Sequence, residues 1–245
     1  MRYLIISDLH SNLESLDAAL DYQEYDQVLI LGDLVGYGAN PNEVIDRVRQ
    51  LPVQAMVRGN HDKVVAGLED GEFFVGYALE AALWSRRHLT AENLAFLRRL
   101  PQGPVTVDSL ITLAHGAPLG EDEYIIYEED ARPQFSAFNT PICFFGHSHL
   151  PIIFNLGPSQ TVLYGIPKHN DRYTLDLTGA QQYLINPGST GQPRDGDARG
   201  SFAVLDTEQK CIEFMRYEYA KEATQRKILE ARLPPFLANR LSKGR

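Results

Sequence analysis

Within its first 57 residues the chain alternates three apolar runs of strand length, residues 3–7, 28–31 and 53–57, with two amphipathic segments, residues 13–22 and 41–51. This β-α-β-α-β order leaves few folds open, because parallel strands joined by crossover helices need helices packed on the sheet. Pro41 suits the first turn of the second helix. Such sheets carry their functional groups in the loops just past the carboxyl ends of the strands. Further along, residues 73–88 read as a helix, Thr90 with Glu92 and Asn93 starts another, and residues 110–114 and 142–145 read as strands. From residue 152 the helical spacing gives way to short runs between Gly, Pro and Asn turns: residues 152–156, 161–164, 181–185, 202–206 and 212–217. They predict a second sheet packed on the first, with residues 221–232 as a closing amphipathic helix.

Composition narrows the class. The 245 residues, 44% hydrophobic, are ample for one packed domain over residues 1–245. No stretch approaches the ~18 apolar residues of a membrane span, and the chain opens on a strand instead of a charged leader, so a cytoplasmic protein without a membrane partner is expected. Cys143 and Cys211 lie far apart in strand-like runs and read as buried thiols. The balance of 23 basic and 32 acidic residues gives −9, and Arg240 to Arg245 form only a modest basic tail, so no nucleic acid polymer is expected as a partner.

The loops after the strands hold a particular chemistry: Asp8-x-His10, Gly32-Asp33, Gly59-Asn60-His61-Asp62, His115-Gly116 and Gly146-His147-Ser148-His149. Asp8 and His10, two apart after a strand, can project to one side and offer an oxygen and a nitrogen to a metal. Asp33 has two oxygens and can bridge two metals about 3.5–4 Å apart. Asn60 adds an amide oxygen; His115, His147 and His149 complete an N/O set without thiolate, suited to manganese, iron, zinc, nickel or cobalt. Taken singly, each piece has an ordinary structural explanation as a cap, a turn or a core histidine. Their joint occurrence at successive strand ends favours two divalent metal ions.

That order of motifs resembles the calcineurin-like metallophosphoesterase superfamily over about residues 1–150. Asn186-Pro187-Gly188-Ser189 and the segment Gln192 to Asp197 extend the likeness toward its small stand-alone bacterial and archaeal phosphoesterases. The resemblance implies an α/β fold, a four-layer α/β/β/α sandwich of two packed mixed sheets with flanking helices, and a dimetal site at one edge of the paired sheets. It further implies that Asp8, His10, Asp33 and His149 hold one metal, and Asp33, Asn60, His115 and His147 the other. One departure stands out. The superfamily's Ser/Thr phosphatases continue the Gly-Asp motif with an aspartate and an arginine, whereas here Leu34-Val35-Gly36-Tyr37 follows, which argues against a protein phosphatase. Tyr37 either faces the substrate or packs on the next loop.

A dimetal site would lower the pKa of water to about 7 and supply hydroxide for in-line attack on phosphorus, and its local positive charge would outweigh the net −9. His61, beside Asn60 but outside the ligand set, is the expected general acid, with Asp62 as its orienting partner or as a helix cap. Arg194 is a candidate for a phosphate oxygen and Arg58 for a structural ion pair. Trp84 reads as core, His88 as surface and His169 as a turn. The acidic segment 121–130 is either a lid over the site or a solvated loop. The expected function is hydrolysis of a small phosphorylated molecule, possible nucleotides included, as phosphomonoesterase or phosphodiesterase. The alternative is a non-catalytic, protein-binding scaffold that retains the fold.

Overall fold

The computed structural model describes residues 1–157, 162–165, 171–177 and 181–245. Its opening follows the alternation of the sequence: β1 (Arg2–Ile6), α1 (Leu13–Tyr22), β2 (Gln27–Ile30), α2 (Pro41–Val48) and β3 (Val53–Met56). Asn12 caps α1 by accepting the Ser15 N–H at 3.2 Å, and Pro41 occupies the first turn of α2. A short helix that the periodicity does not announce, α3 (Asn60–Ala66), precedes α4 (Gly76–His88) and α5 (Ala91–Arg98), the last capped by Thr90. Then come β4 (Val105–Thr106), β5 (Ile111–Leu113), α6 (Glu128–Gln134), β6 (Ile142–Phe144), β7 (Pro151–Leu156), β8 (Val162–Gly165), β9 (Arg172–Asp176), β10 (Gln182–Pro187), β11 (Gly200–Asp206), β12 (Cys211–Tyr217), α7 (Lys221–Glu230) and α8 (Pro235–Leu241). Residue 161 of one expected strand, and His169, lie outside the described residues.

The strands form two mixed sheets, ordered β3-β2-β1-β11-β12-β9 and β4-β5-β6-β10-β7-β8. Here the structure corrects the expected partition. The runs at 202–206 and 212–217 join the first sheet, β11 lying antiparallel to β1, while β5 and β6 belong to the second. Alternating apolar residues mark which face of a strand is buried but not which strand lies beside it, so local patterning could not assign these neighbours.

Side-chain alternation builds four layers. Ile5, Leu29 and Val57 of the first sheet meet Ile111, Leu113, Phe144 and Ile185 of the second in one buried cluster. Leu4, Ile6, Val28 and Ile30 point the other way, onto Leu16, Leu20, Val44 and Ile45 of the helices. Cys143, Phe145, Phe154 and Leu184 pack on Ala131 and Phe135 at the opposite face. Of the two thiols Cys143 is buried and Cys211 half-buried; both are free. Trp84 is half-buried and stacks on the exposed His88, ring centroids 4.0 Å apart. Among the described residues no helix is long and apolar enough to cross a membrane.

Ile185 lies in the inter-sheet cluster at 0% exposure, so Ile185→Ala should cost about 2–5 kcal/mol in urea unfolding. The exposed Leu119→Ala should stay within about 0.5 kcal/mol; equal losses would contradict this placement of the core.

Candidate metal centre

In each sheet three neighbouring strands run parallel, β1, β2 and β3 in one and β5, β6 and β10 in the other. The loops leaving their carboxyl ends meet along one edge of the sandwich. Asp8 N–H donates to the Gly32 carbonyl at 3.1 Å and His10 N–H to the Asp33 carbonyl at 2.9 Å, which joins the loops after β1 and β2. The segment after β10 joins the sheets: Thr190 N–H donates to the Ser7 carbonyl at 2.9 Å and Gly191 N–H to the Asp8 carbonyl at 3.0 Å. Five residues of the expected ligand set, Asp8, His10, Asp33, His147 and His149, adopt left-handed backbone with φ between 47° and 66°. Non-glycine residues rarely hold this conformation, and it costs on the order of 1 kcal/mol or more each, so the surrounding contacts over-determine it.

Two groups of buried side chains result. Ligand atoms of Asp8, His10, Asp33 and His149 lie within 4.8 Å of one another, as do those of Asp33, His115 and His147. Asp33 belongs to both: its Oδ2 is 3.6 Å from His10 Nε2 and 3.6 Å from His115 Nε2. Asn60 Oδ1 lies 3.2 Å from His115 Nε2.

The histidine tautomers follow from their partners. Nδ1 of His10, His115 and His149 sits against the backbone carbonyls of Val35 (3.1 Å), Leu31 (2.7 Å) and Gln192 (2.5 Å), and because a carbonyl only accepts, each Nδ1 carries the proton. In the neutral rings Nε2 is therefore a bare lone pair. His10 Nε2 and His149 Nε2 face each other at 3.1 Å, and His115 Nε2 faces the Asn60 oxygen, so acceptors are turned toward acceptors. A cation between them removes that conflict. His147 Nε2 is likewise buried without a partner. Burial drives the basicity of His10, His147 and His149 well below the usual imidazole range and pushes the Asp8 carboxyl up to about 7; Asp33 is raised too. These neutral imidazoles and costly carboxylates, with no thiolate, are a donor set that fits divalent cations.

His61 stands beside this set. Its backbone N–H donates to Asp33 Oδ1 at 2.9 Å, and its ring is held by Tyr37, Phe74 and His10 with centroids 4.4, 4.5 and 4.9 Å away. Its Nδ1 is buried and unpartnered. Asp62 does not orient it: the two Asp62 oxygens accept from Gly59 N–H (2.9 Å), Leu34 N–H (2.9 Å) and Val35 N–H (3.3 Å), capping α3 and fixing the loop after Asp33. No side chain fits at position 36, where a Cβ would lie 2.4 Å from His61 Nδ1 and φ is +90°.

A cavity of about 250 Å³ adjoins the groups, lined by Asp33, Asn60, His61, His147 and His149 and by Tyr37, Arg194 and Arg240. Arg240 was not legible as a site residue, since nothing in a short terminal basic stretch ties it to residue 37. A groove of about 770 Å³ shares Asn60, Phe73, Phe74, Tyr124 and His147 with this cavity. Tyr124 stacks on His147 at 4.1 Å. The acidic segment is thus one wall of the groove, anchored by ion pairs: Glu121 with Arg58 at 2.7 Å and with Lys63 at 3.3 Å, and Asp122 with Lys63 at 2.6 Å. Arg58 is the structural ion pair that the sequence suggested.

Two stacked mixed sheets with buried Asp/His groups at one edge are the architecture of the metallophosphoesterases. The chain belongs to the calcineurin-like phosphoesterase superfamily, whose domain model matches residues 1–210. It is 37% identical to an uncharacterised protein of Methanocaldococcus jannaschii, covering 98% of this chain and 97% of the relative. A crystal structure of a metallophosphoesterase from Sphaerobacter thermophilus, 38% identical, superposes with a TM-score of 0.87 over 100% of this chain and 99% of that one. A hypothetical protein of Pyrococcus horikoshii OT3 shares the fold at 20% identity and a TM-score of 0.80, covering 100% of this chain and 98% of that one.

A Cβ at Gly59 would lie 2.0 Å from Asp33 Oδ1. Gly59→Ala should therefore displace Asp33 and lower the divalent metal retained, by elemental analysis, while far-UV circular dichroism stays that of the wild type; full metal retention would contradict this packing.

Proposed function

We propose that the chain is a dimetal-dependent hydrolase of phosphate esters, with a small phosphorylated molecule as substrate and residues 1–245 acting as one domain. The observation that carries this reading is the shared Asp33, whose Oδ2 lies equally close to a histidine of each group. Asp8, His10, Asp33 and His149 would hold one cation, and Asp33, Asn60, His115 and His147 the other. When bound, such a pair supplies Lewis-acid stabilisation of a phosphoryl group and water made acidic enough to react near neutral pH.

The chain's own groups do the rest. His61 is the general acid for the departing alkoxide, tied through its N–H to Asp33 so that the acid and the bridging carboxylate keep one spacing. Burial first, then Arg194, keeps the free imidazole neutral. Arg194 and Tyr37 contact the phosphoryl end. A small substrate suits the cavity of about 250 Å³, and the net charge of −9 disfavours a nucleic acid polymer.

Manganese-loaded protein should hydrolyse p-nitrophenyl phosphate or bis-p-nitrophenyl phosphate and lose at least about tenfold of that rate on chelation. Silence with every candidate metal would favour the protein-binding scaffold instead. His61→Ala should lower turnover of alkyl phosphates by about 10²–10⁴-fold with metal content intact, and by less for nitrophenyl esters, whose leaving group hardly needs a proton. Loss of a metal in that variant would contradict the acid role.

A further inference from the structure

Two guanidinium groups converge on one tyrosine ring in the cavity beside the metal centre. Arg194 arrives on the loop after β10 and Arg240 in the last turn of α8, beyond the span that matches the superfamily domain. Their Cζ atoms lie 5.7 and 5.6 Å from the Tyr37 ring centroid. Arg194 Nη2 donates to the Tyr37 hydroxyl at 3.3 Å, and the Arg240 guanidinium lies over the same ring. Arg194 also reaches the neutral Gln192 Oε1 at 3.1 Å, and Arg240 Nε donates to a main-chain oxygen of Arg245. Neighbouring arginines differ, since Arg199 pairs with Asp197 and Asp171, and Arg216 with Asp195. Among the described residues neither Arg194 nor Arg240 forms an ion pair with an Asp or Glu side chain.

Buried cations without counter-charge are costly. Arg240 is only 8% exposed, and Arg194 Nε is buried with no partner. Burial, and then the charge of Arg194, lowers the proton affinity of Arg240. Among the described residues no Asp or Glu side chain answers either guanidinium, and two forked donors suit the planar edges of a phosphate's oxygens. The cavity's form limits which phosphate. Val75, Tyr77 and Ala78 line it beside Arg240, and it joins the larger groove where Phe73, Phe74 and Tyr124 line both.

We propose that Arg194 and Arg240, meeting over the Tyr37 ring, form a recognition subsite for the unsubstituted oxygens of a phosphomonoester dianion, whose leaving group lies in the groove bounded by Phe73 and Tyr124. This deepens the phosphoesterase reading and rests on it for the chemistry, but ligand binding at the subsite can be measured without turnover. A diester offers one charge and two free oxygens, and its second substituent meets the arginine pair.

The test titrates methylphosphonate, a dianion with no ester to cleave, and dimethyl phosphate, a monoanion, into the manganese-loaded full chain and into a chelated sample. Methylphosphonate should bind the wild type at least about tenfold more tightly than dimethyl phosphate. Arg240→Gln and Arg194→Gln should each weaken methylphosphonate by about 10- to 100-fold, and dimethyl phosphate much less. Arg240→Lys, which keeps the charge but loses the fork, should recover part of the loss. If Arg240→Gln disturbs α8, Arg194→Gln, on a loop, gives the same comparison. In turnover, Arg240→Gln should reduce kcat/KM for p-nitrophenyl phosphate far more than for bis-p-nitrophenyl phosphate. Equal affinity for the two anions, no binding of either, or variants that bind like the wild type would overturn the proposal. A wild type that shows the binding pattern but hydrolyses no ester would keep the subsite and remove the phosphoesterase reading.

Discussion

Asp33 carries the organisation of this site on two oxygens. Oδ2 faces a histidine from each group, and Oδ1 accepts the His61 N–H. Both roles depend on the position of Asp33 at the seam between the sheets. There the β2 loop receives hydrogen bonds from the β1 loop, and the α3 start closes over it without a side chain at Gly59. The left-handed backbone at Asp8, His10, Asp33, His147 and His149 is sustained by this lattice of short loop contacts. Two rigid sheets hold the loops, and the loops hold the acceptors against one another.

Much of this was legible in the chain because the first three strands and their helices are local units. Each βα segment carries its own periodicity and cap, and each of the clusters at Asp8, Asp33 and Asn60 follows its strand within a few residues. The histidines at 115, 147 and 149 were legible for the same reason, although the strands before them join the other sheet. What escaped was non-local. Antiparallel pairing of β11 with β1 joins residues about two hundred apart, and no local pattern encodes it. Asp62 was readable in two ways because an acidic residue three places into a helix serves as a cap as readily as a histidine partner; the backbone N–H groups of Gly59, Leu34 and Val35 decide for the cap. Arg240 was hidden because α8 is a short terminal helix whose meaning lies in the aromatic ring it reaches.

Charge shows the same contrast between chain and site. The protein as a whole carries −9, yet two guanidiniums and three imidazoles line its cavity, and much of the acidity near the groove is tied up by Arg58 and Lys63. Local potential, shaped by low-dielectric walls, governs what enters such a cavity more than net charge does.

The antiparallel seam between β1 and β11 has a temporal consequence. β1 pairs with a strand about two hundred residues further along the chain, and the carbonyls of Ser7 and Asp8 await the amides of Thr190 and Gly191. Closing so long a loop is entropically expensive, which places assembly of the centre late in folding. The ligand-type side chains therefore converge only once strands far apart in the chain have paired.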